Sequence, residues 1–306
     1  MKNMIEFYYN IKLNNIQSKD NIYSFTTNNN SYILKPYYKD KNTINSCYRL
    51  STLLNNTLPL NNIIPNKFNN IVSTIDNTPY VLLQAKNNNT ISLKIISHIS
   101  NTPIPNTYYI KDLERNNWEK LWGYKIDYYE LQVNENKKKF PLIRESFDYF
   151  IGMGENAISY LTNTKIETKP TIYDDKVPSH NTIYNSLFDP TNIILDHKAR
   201  DLGEYIKYSF WNNNTNIFNE LNEYFKYNYY SEYGIRVLLS RILYPSFYFD
   251  LYDEIIIGKK EENTLNNIIS KIKDYELYLY NIYIYLNNFY NIPEINWIKK
   301  QGLNPR

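Results

Sequence analysis

The stretch VPSHNTIYNSLFDPTNIILDHKARDLGEYIKYSFW, Val177 to Trp211, decides how the rest of the chain is read. The apolar run Ile193-Ile194-Leu195 predicts a short buried strand that delivers Asp196 to its end. Arg200 to Trp211 then turn into a helix. Two of the three histidines, His180 and His197, and the acidic pair Asp196 and Asp201 fall inside this one segment.

A strand that presents a carboxylate, preceded by a loop opening with histidine and followed by an acidic helix start, is how kinase-type phosphotransferases hold a metal. The chain upstream suits that reading. Ile5 to Tyr9, Ile22 to Thr26 and Ser31 to Lys35 are β-branched or aromatic runs separated by Asn-rich turns, which predicts a strand meander. Lys35 ends an apolar strand, where a kinase-like lobe carries the lysine that pairs with nucleotide phosphates, and where a lone lysine is otherwise simply solvated. Ile44 to Leu54 reads as a helix with Thr43 placed to cap it and Cys47, Leu50, Leu53 and Leu54 on one face. An active kinase needs a glutamate on this helix to hold the lysine, and none is present. Asn70 to Ile75 and Tyr80 to Leu83 are two further strands around the turn Asp76-Asn77-Thr78-Pro79. The pattern loosens through Lys86 to Thr90, which divides an amino-terminal β lobe, residues 1–86, from a helical lobe, residues 87–306.

Beyond that hinge the apolar period changes from two to 3.6. Ile91 to Ile99 is a short helix ended by Thr102 to Thr107 with Pro103 and Pro105. Trp118 to Val133 follows, with Trp118, Leu121, Trp122, Ile126 and Tyr129 toward the core, and the Lys137-Lys138-Lys139 run behind it is a solvated loop. Glu145 to Leu161 is the central helix, whose Gly154 and Ala157 permit close approach by a neighbour. Ser231 caps a helix running to Leu243 and stopped by Pro245. Thr264 to Tyr290 reads as one long helix with Leu265, Ile268, Ile272, Tyr275, Leu279, Ile282, Leu286 and Phe289 on a seam. Such a seam suits an internal helix pair or a dimer, the internal pair being the simpler. The whole predicts an α+β, protein-kinase-like bilobal fold with a small antiparallel β-rich amino-terminal lobe and a larger helical lobe.

Composition limits the function classes. The chain has 306 residues with 34 basic and 31 acidic side chains, a net charge of +3, so a nucleic-acid surface is not indicated. One cysteine, Cys47, makes no internal disulfide and no zinc site with three scattered histidines, which points to a reducing cytosol. The amino terminus MKNMIEFYYNIKL lacks a signal-peptide core, and no window reaches the roughly 18 apolar residues of a membrane span, so neither nucleic acid nor membrane insertion is expected. Asparagine runs such as Asn28-Asn29-Asn30 and Asn212-Asn213-Asn214, with only 7 glycines, reflect AT-rich codon choice in one reading and a prion-like bias in the other. Most of the 33 tyrosines should be amphipathic wall residues with surface hydroxyls, unless they serve cross-linking in an extracellular shell.

Three segments carry a family likeness: Gly154-Glu155-Asn156-Ala157-Ile158-Ser159-Tyr160-Leu161, Leu195-Asp196-His197-Lys198-Ala199-Arg200-Asp201-Leu202-Gly203-Glu204-Tyr205-Ile206, and Leu238-Leu239-Ser240-Arg241-Ile242-Leu243-Tyr244-Pro245-Ser246-Phe247-Tyr248-Phe249. With Lys35 and Trp118 to Asp127 they span nearly the whole chain in order. The sequence resembles the CotS-type spore-coat proteins of endospore-forming bacteria, most of all their YutH branch, within the aminoglycoside-phosphotransferase-like kinase superfamily. The resemblance implies that Lys35 is the nucleotide-phosphate lysine, Asp196 the strand-end metal-binding aspartate, His180 the opening of the catalytic loop, and Asp201 a brace for that loop. The catalytic aspartate and second-metal asparagine of a competent enzyme fall on Thr182 and Leu187, which can neither accept the hydroxyl proton nor bind magnesium. Asp189-Pro190-Thr191-Asn192 imitates that pair at a spacing of three rather than five, so Asp189 is the one candidate for a displaced base. Apart from the resemblance, Arg200 and Asp201 read as a helix start, with Arg200 able to pair with Glu204, and His197 is as well a satisfied loop histidine as a ligand. Lys35 and Asp196 are thus vestigial cofactor-binding candidates.

These residues favour a catalytically inactive pseudokinase of the spore coat, partnered by other coat proteins and made in the cytoplasm of the mother cell. No cofactor is then required. The alternative is an active ATP-dependent small-molecule phosphotransferase, and only there would ATP and Mg enter.

Overall fold

Asparagine does in this chain much of what glycine does elsewhere. In the computed structural model, which describes residues 1–27, 29–55, 58, 60–86, 91–104, 110–136, 139–183 and 187–303, nine non-glycine residues have positive φ, and every one is Asn or Asp. Their short polar side chains tolerate the left-handed region that other residues avoid. The described residues form two compact units that interleave along the sequence, Met1–Arg115 with Lys176–Asp196 and Asn116–Asp175 with His197–Arg306.

The first unit holds a six-stranded sheet whose pairings are all antiparallel. Its strands are β1 (Gln17–Lys19), β2 (Ile22–Thr27), β3 (Asn30–Pro36), β4 (Asn62–Ile64), β5 (Val72–Ile75) and β6 (Thr78–Ala85). The order is β1-β2-β3-β6, with β4 and β5 both on the far side of β6. Two hairpins turn on paired left-handed residues, Asp20–Asn21 (φ 52° and 61°) and Asp76–Asn77 (48° and 62°). That conformation matches the twist of the flanking strands, so the second turn is narrower than the four-residue turn the sequence suggested.

The unit also contains α1 (Lys2–Tyr9), α2 (Lys41–Leu54), α3 (Leu93–Ser100) and the two-stranded pair β7 (Lys176–His180) and β8 (Ile193–His197). The expected first strand, Ile5 to Tyr9, is α1. Its buried residues are Ile5 and Tyr9, four apart, whereas Phe7 between them is 52% exposed, so helical rather than alternating spacing meets the core. They pack with Leu13, Phe25, Leu34, Ile75, Tyr80 and Leu82 on the sheet. The cap of α2 is Asp40, not Thr43: the Asp40 carboxylate accepts the Thr43 N–H at 2.8 Å and its hydroxyl at 2.5 Å.

The second unit is built from α4 (Trp118–Asn136), α5 (Pro141–Glu167), α6 (Ala199–Trp211), α7 (Ile217–Tyr227), α8 (Glu232–Leu243), α9 (Ser246–Ile256), α10 (Asn266–Ile269), α11 (Ile272–Asn287) and α12 (Asn296–Leu303). The central helix is longer than its apolar pattern and packs on α4 and α8. A Cβ on Gly154 would meet Ile126 Cδ1 at 2.9 Å, the close approach its sequence position suggested. Leu121 departs from expectation. It is 48% exposed and lies with Tyr124, Tyr128 and Leu131 on the outer face of α4, while Trp118, Trp122, Ile126 and Tyr129 are buried. The long helix expected over Thr264 to Tyr290 is broken: a 3-10 turn, Glu262–Leu265, and α10 precede a new start at Ile272. The two parts serve different neighbours, the turn packing on α5 and α9 and α11 on α8 and α12, which one straight helix cannot do. Tyr275, Leu279, Ile282 and Leu286 are buried within the chain, as the internal-pair reading required, whereas Phe289 is exposed.

Several tyrosines expected at the surface are core residues whose hydroxyls find partners inside. Tyr129 donates to Asp253 at 3.0 Å, Tyr275 to the Ile242 carbonyl at 3.1 Å, and Tyr248 meets Ser146 at 2.9 Å. No helix of the described residues is long and apolar enough to cross a membrane. Asn28, the hinge residues 87–90, residues 105–107 of the proline-rich break and the loop lysines 137 and 138 lie outside the described residues.

Candidate functional site

Lys35 sits on β3, paired through the ladder with Val81 of β6. Its Nζ lies 2.5 Å from Asp189 Oδ2 and 3.3 Å from Thr191 Oγ1. Asp189 belongs to the segment before β8, where it caps the 3-10 turn Pro190–Asn192. Its other oxygen accepts the Thr191 N–H at 2.9 Å and the Thr191 hydroxyl at 2.8 Å. Both carboxylate oxygens are therefore engaged, one on a cation and one on a turn. The ion pair is well shielded, with side chains 27% and 12% exposed.

The residue that a kinase would use to hold this lysine comes from the equivalent of α2, and here that helix is KNTINSCYRLSTLL. Its buried face offers Ser46 and Cys47. Burial pushes the Cys47 thiol up to about 11, so it stays neutral and its Sγ rests 3.9 Å from the Ile193 carbonyl. A neutral thiol cannot replace a glutamate. Lys39 reaches the same turn, its Nζ 3.3 Å from the Thr191 carbonyl. Burial holds its ammonium below the usual lysine range, and the nearby charges of Arg115 and Lys35 push the same way. One carboxylate, Asp189, thus stands among three cations.

Between β7 and β8, residues 181 and 182 are tied to Asn192. Asn181 N–H donates to the Asn192 carbonyl at 3.0 Å, and the Asn192 amide donates to the Thr182 carbonyl at 2.5 Å. Leu187, expected from the resemblance at the position of the second-metal asparagine, is a core side chain, 1% exposed. His180 ends β7 and Asp196 stands near the end of β8, both buried. Arg115 N–H donates to the Leu195 carbonyl at 2.8 Å and Lys176 pairs with Glu114 at 2.9 Å, which fixes β8 and β7 to the segment before α4. Of the three positions expected from the resemblance to hold metal or accept a proton, Asp196 carries a carboxylate, whereas Thr182 and Leu187 carry none. Among the described residues no group of three or more His, Cys, Asp or Glu could hold a metal ion.

The remaining site residues belong to the second unit. His197 Nε2 lies 3.2 Å from Asp174 Oδ1, and its Nδ1 accepts the Ala199 N–H at 3.1 Å, which assigns the ring proton to Nε2. Asp174 also accepts from the Ser231 hydroxyl at 2.7 Å and from Thr171 N–H at 2.7 Å. His197 is a satisfied loop histidine. Asp201 is buried in the first turn of α6 beside Arg200. Glu204, in the second turn of α6, pairs with Lys207 at 2.9 Å and Arg241 at 2.7 Å, with Arg200 adding its charge.

Sequence reasoning considered Asp189 as a displaced base and missed it as the partner of Lys35. The signal was present: a lysine at a buried strand end whose helix supplies no carboxylate needs one from elsewhere, and Asp-Pro-Thr-Asn is a turn start. Asp189→Asn is expected to cost about 1–2 kcal/mol, with Lys35→Met costing less because Asp189 keeps its Thr191 donors. Urea unfolding followed by far-UV circular dichroism reads both; a neutral Asp189→Asn would mean that Lys35 does not depend on the pair.

With the geometry in hand, comparison with known proteins gives a consistent result. A family model described as spore coat putative kinase YutH matches residues 2–282. The endospore coat-associated protein YutH of Bacillus subtilis (strain 168) is 28% identical over an alignment of 208 residues, with the match covering 60% of this chain and 61% of that protein. The chain thus aligns with less than two thirds of the length of this curated relative. An aminoglycoside phosphotransferase from Alicyclobacillus acidocaldarius superposes with a TM-score of 0.59 at 9% identity, covering 92% of this chain and 95% of that one. Spectinomycin phosphotransferase APH(9)-Ia, solved with ADP and spectinomycin, gives 0.57 at 14% identity, covering 91% and 92%. At such identities the likeness concerns the fold alone. It is the α+β kinase-like fold expected from the sequence, antiparallel sheet first and helices after.

Proposed function

The chain belongs to the family of YutH-type spore coat putative kinases, and from that premise we propose that it is a spore-coat-associated protein that keeps the kinase fold as a binding scaffold and transfers no phosphate. The observation that carries this reading is the pairing of Lys35 with Asp189 at 2.5 Å, which engages the lysine expected to meet nucleotide phosphate and the displaced-base candidate with each other. Thr182 supplies no proton acceptor in the loop, and a hydroxyl does not serve that role at neutral pH. Its context would be other coat proteins, and its place of synthesis the mother cell, since the relative in Bacillus subtilis is described as endospore coat-associated.

The competing reading is an ATP-dependent phosphotransferase acting on a small molecule, favoured by the retention of Lys35 on β3 and Asp196 on β8. Thermal unfolding with and without ATP and magnesium separates the two. A ligand present at about a hundred times its Kd stabilises the folded chain by roughly 2.7 kcal/mol, a shift of several degrees. The scaffold reading expects no magnesium-dependent rise. A rise abolished by Asp196→Ala would overturn it.

A further inference from the structure

Among the described residues nothing covers a stripe on the outer face of α4. Leu121, Tyr124, Tyr128 and Leu131 follow one another at steps of three, four and three, and each is at least 48% exposed. At 3.6 residues per turn the four fall within about a quarter of the helix circumference, opposite the buried face of Trp118, Trp122, Ile126 and Tyr129. Such steps are the spacing with which one helix seats against another. A single exposed leucine needs no explanation, but two leucines and two tyrosines aligned over three turns do.

The charges around the stripe are sorted along the helix. Lys120 and Lys125 stand at its amino-terminal half and Asp127, Glu130 and Glu135 at its carboxy-terminal half, all exposed. Among the described residues none of these five is in an ion pair; the neighbouring Glu119 is, with Lys165 of α5 at 2.6 Å, on the side of the helix away from the stripe. Lys120 lies over the Tyr124 ring, 5.6 Å from its centre. A helix charged in this way is complementary to itself in one direction. Laid parallel, a second α4 sets lysine against lysine at one end and carboxylate against carboxylate at the other. Laid antiparallel, it places side by side the positions equally far from residues 127 and 128, so that Lys120 of one copy comes level with Glu135 of the other, Tyr124 with Leu131, and Tyr128 with its own twin. Glu135 continues the stripe by a further step of four, which keeps it in line with the seam. Asp127 and its twin come near the axis, a like-charge cost that solvent screens.

We propose that this face of α4 is a self-association surface, on which two copies of the chain pair antiparallel through Leu121, Tyr124, Tyr128 and Leu131, with Lys120 of each beside Glu135 of the other. The apolar side chains supply the affinity, and the charges fix the direction, since exposed ion pairs add little strength of their own. A contact of three helical turns is smaller than a standard stable interface, so the dimer is weak and depends on concentration. The surface lies within the second unit and is independent of whether the chain transfers phosphate.

Sedimentation velocity of the full chain, over a concentration series reaching the high-micromolar range, tests it. The weight-average sedimentation coefficient should rise from that of a monomer toward that of a dimer. Leu131→Glu should raise the dimer Kd by about tenfold or more, because each substitution counts twice about the axis. Lys120→Glu should raise it roughly threefold or more, and adding Glu135→Lys to the same chain should restore it, since both ion pairs are then reversed. Asp127→Asn should tighten the dimer. All these positions are exposed, so thermal unfolding of each variant at low concentration should match the parent and tie the change to association. A chain that stays monomeric throughout would give the stripe to another occupant and overturn the proposal. Association that Leu131→Glu leaves intact, or a Lys120→Glu loss that the double variant does not recover, would overturn it as well.

Discussion

Glu204→Ala is expected to lower the unfolding free energy by about 3–5 kcal/mol. Glu204 is 5% exposed and Lys207 fully buried. One oxygen of Glu204 accepts Lys207 Nζ at 2.9 Å and Arg241 Nε at 2.7 Å, and the other accepts the Ser246 hydroxyl at 3.2 Å. Lys207 also donates to Ser246 at 2.6 Å and to the Tyr244 carbonyl at 3.2 Å. Removing the carboxylate leaves two buried cations facing each other. Lys207→Met should cost less, because Arg241 still neutralises Glu204 through a two-point contact. All four tryptophans lie in the second unit, so urea unfolding followed by tryptophan fluorescence reports on it directly.

The same network sets a pH dependence. Burial pushes the Glu204 carboxyl up, and the Lys207 and Arg241 charges more than reverse this, holding it at about 2 against an ordinary 4.5. A carboxyl depressed on folding contributes stability that is full above the unfolded value and is lost as pH falls from about 4.5 toward 2. Burial brings the Lys207 ammonium down to about 8 from 10.5, with Glu204 opposing. Between those values the unfolded chain binds more protons, so this group makes stability rise with pH there. In Glu204→Ala the acid-side loss should flatten. An acid limb as steep as in the parent would place the titrating carboxylates elsewhere.

Trp122→Ala is expected to cost a further class of about 3–5 kcal/mol, this time through packing. Trp122 is 4% exposed and stacked on Tyr244, ring centres 4.4 Å apart and planes 8° from parallel. The Arg241 guanidinium stands 5.7 Å from its ring and 4.9 Å from that of Trp118. Trp122 therefore supports the cation that Glu204 pairs with. Combining Trp122→Ala with Arg241→Lys should show a coupling of roughly 0.5–2 kcal/mol, since the single changes share this contact. Additive losses would mean that the ring and the guanidinium stabilise the unit separately.

These two residues also explain what the family-like segments do. A Cβ on Gly203 would meet Arg241 Cγ at 2.8 Å, Gly154 faces Ile126 and Tyr244, and Glu204 binds Arg241. Segments far apart in sequence are one packed centre of the helical unit. Their likeness to a family was readable one segment at a time, but their meeting was not, because nothing local in Gly203-Glu204 names Arg241 as its neighbour.

The same division holds at the candidate site. Lys35 at a strand end and Asp196 at the close of an apolar run were legible because both follow from local patterns. The partner of Lys35 was not, since Asp189 lies 154 residues away and its turn position resembled a displaced base. Local pattern also misled over short aromatic runs. Ile5 to Tyr9 is too brief to separate a strand from a helical turn by periodicity, and only the burial of Ile5 and Tyr9 together decides it. Leu121 and Phe289 were placed inward on spacing alone, which cannot tell a core stripe from a second apolar stripe on the outer face.

What the scaffold reading excludes is turnover. Incubating the purified full chain with ATP and magnesium, alone and with a panel of aminoglycoside and amino-alcohol acceptors, and quantifying ADP and phosphorylated acceptor by mass spectrometry against the Asp196→Asn chain measures it directly. The account predicts product indistinguishable between the two chains. Product formed by the parent and lost in Asp196→Asn would contradict it.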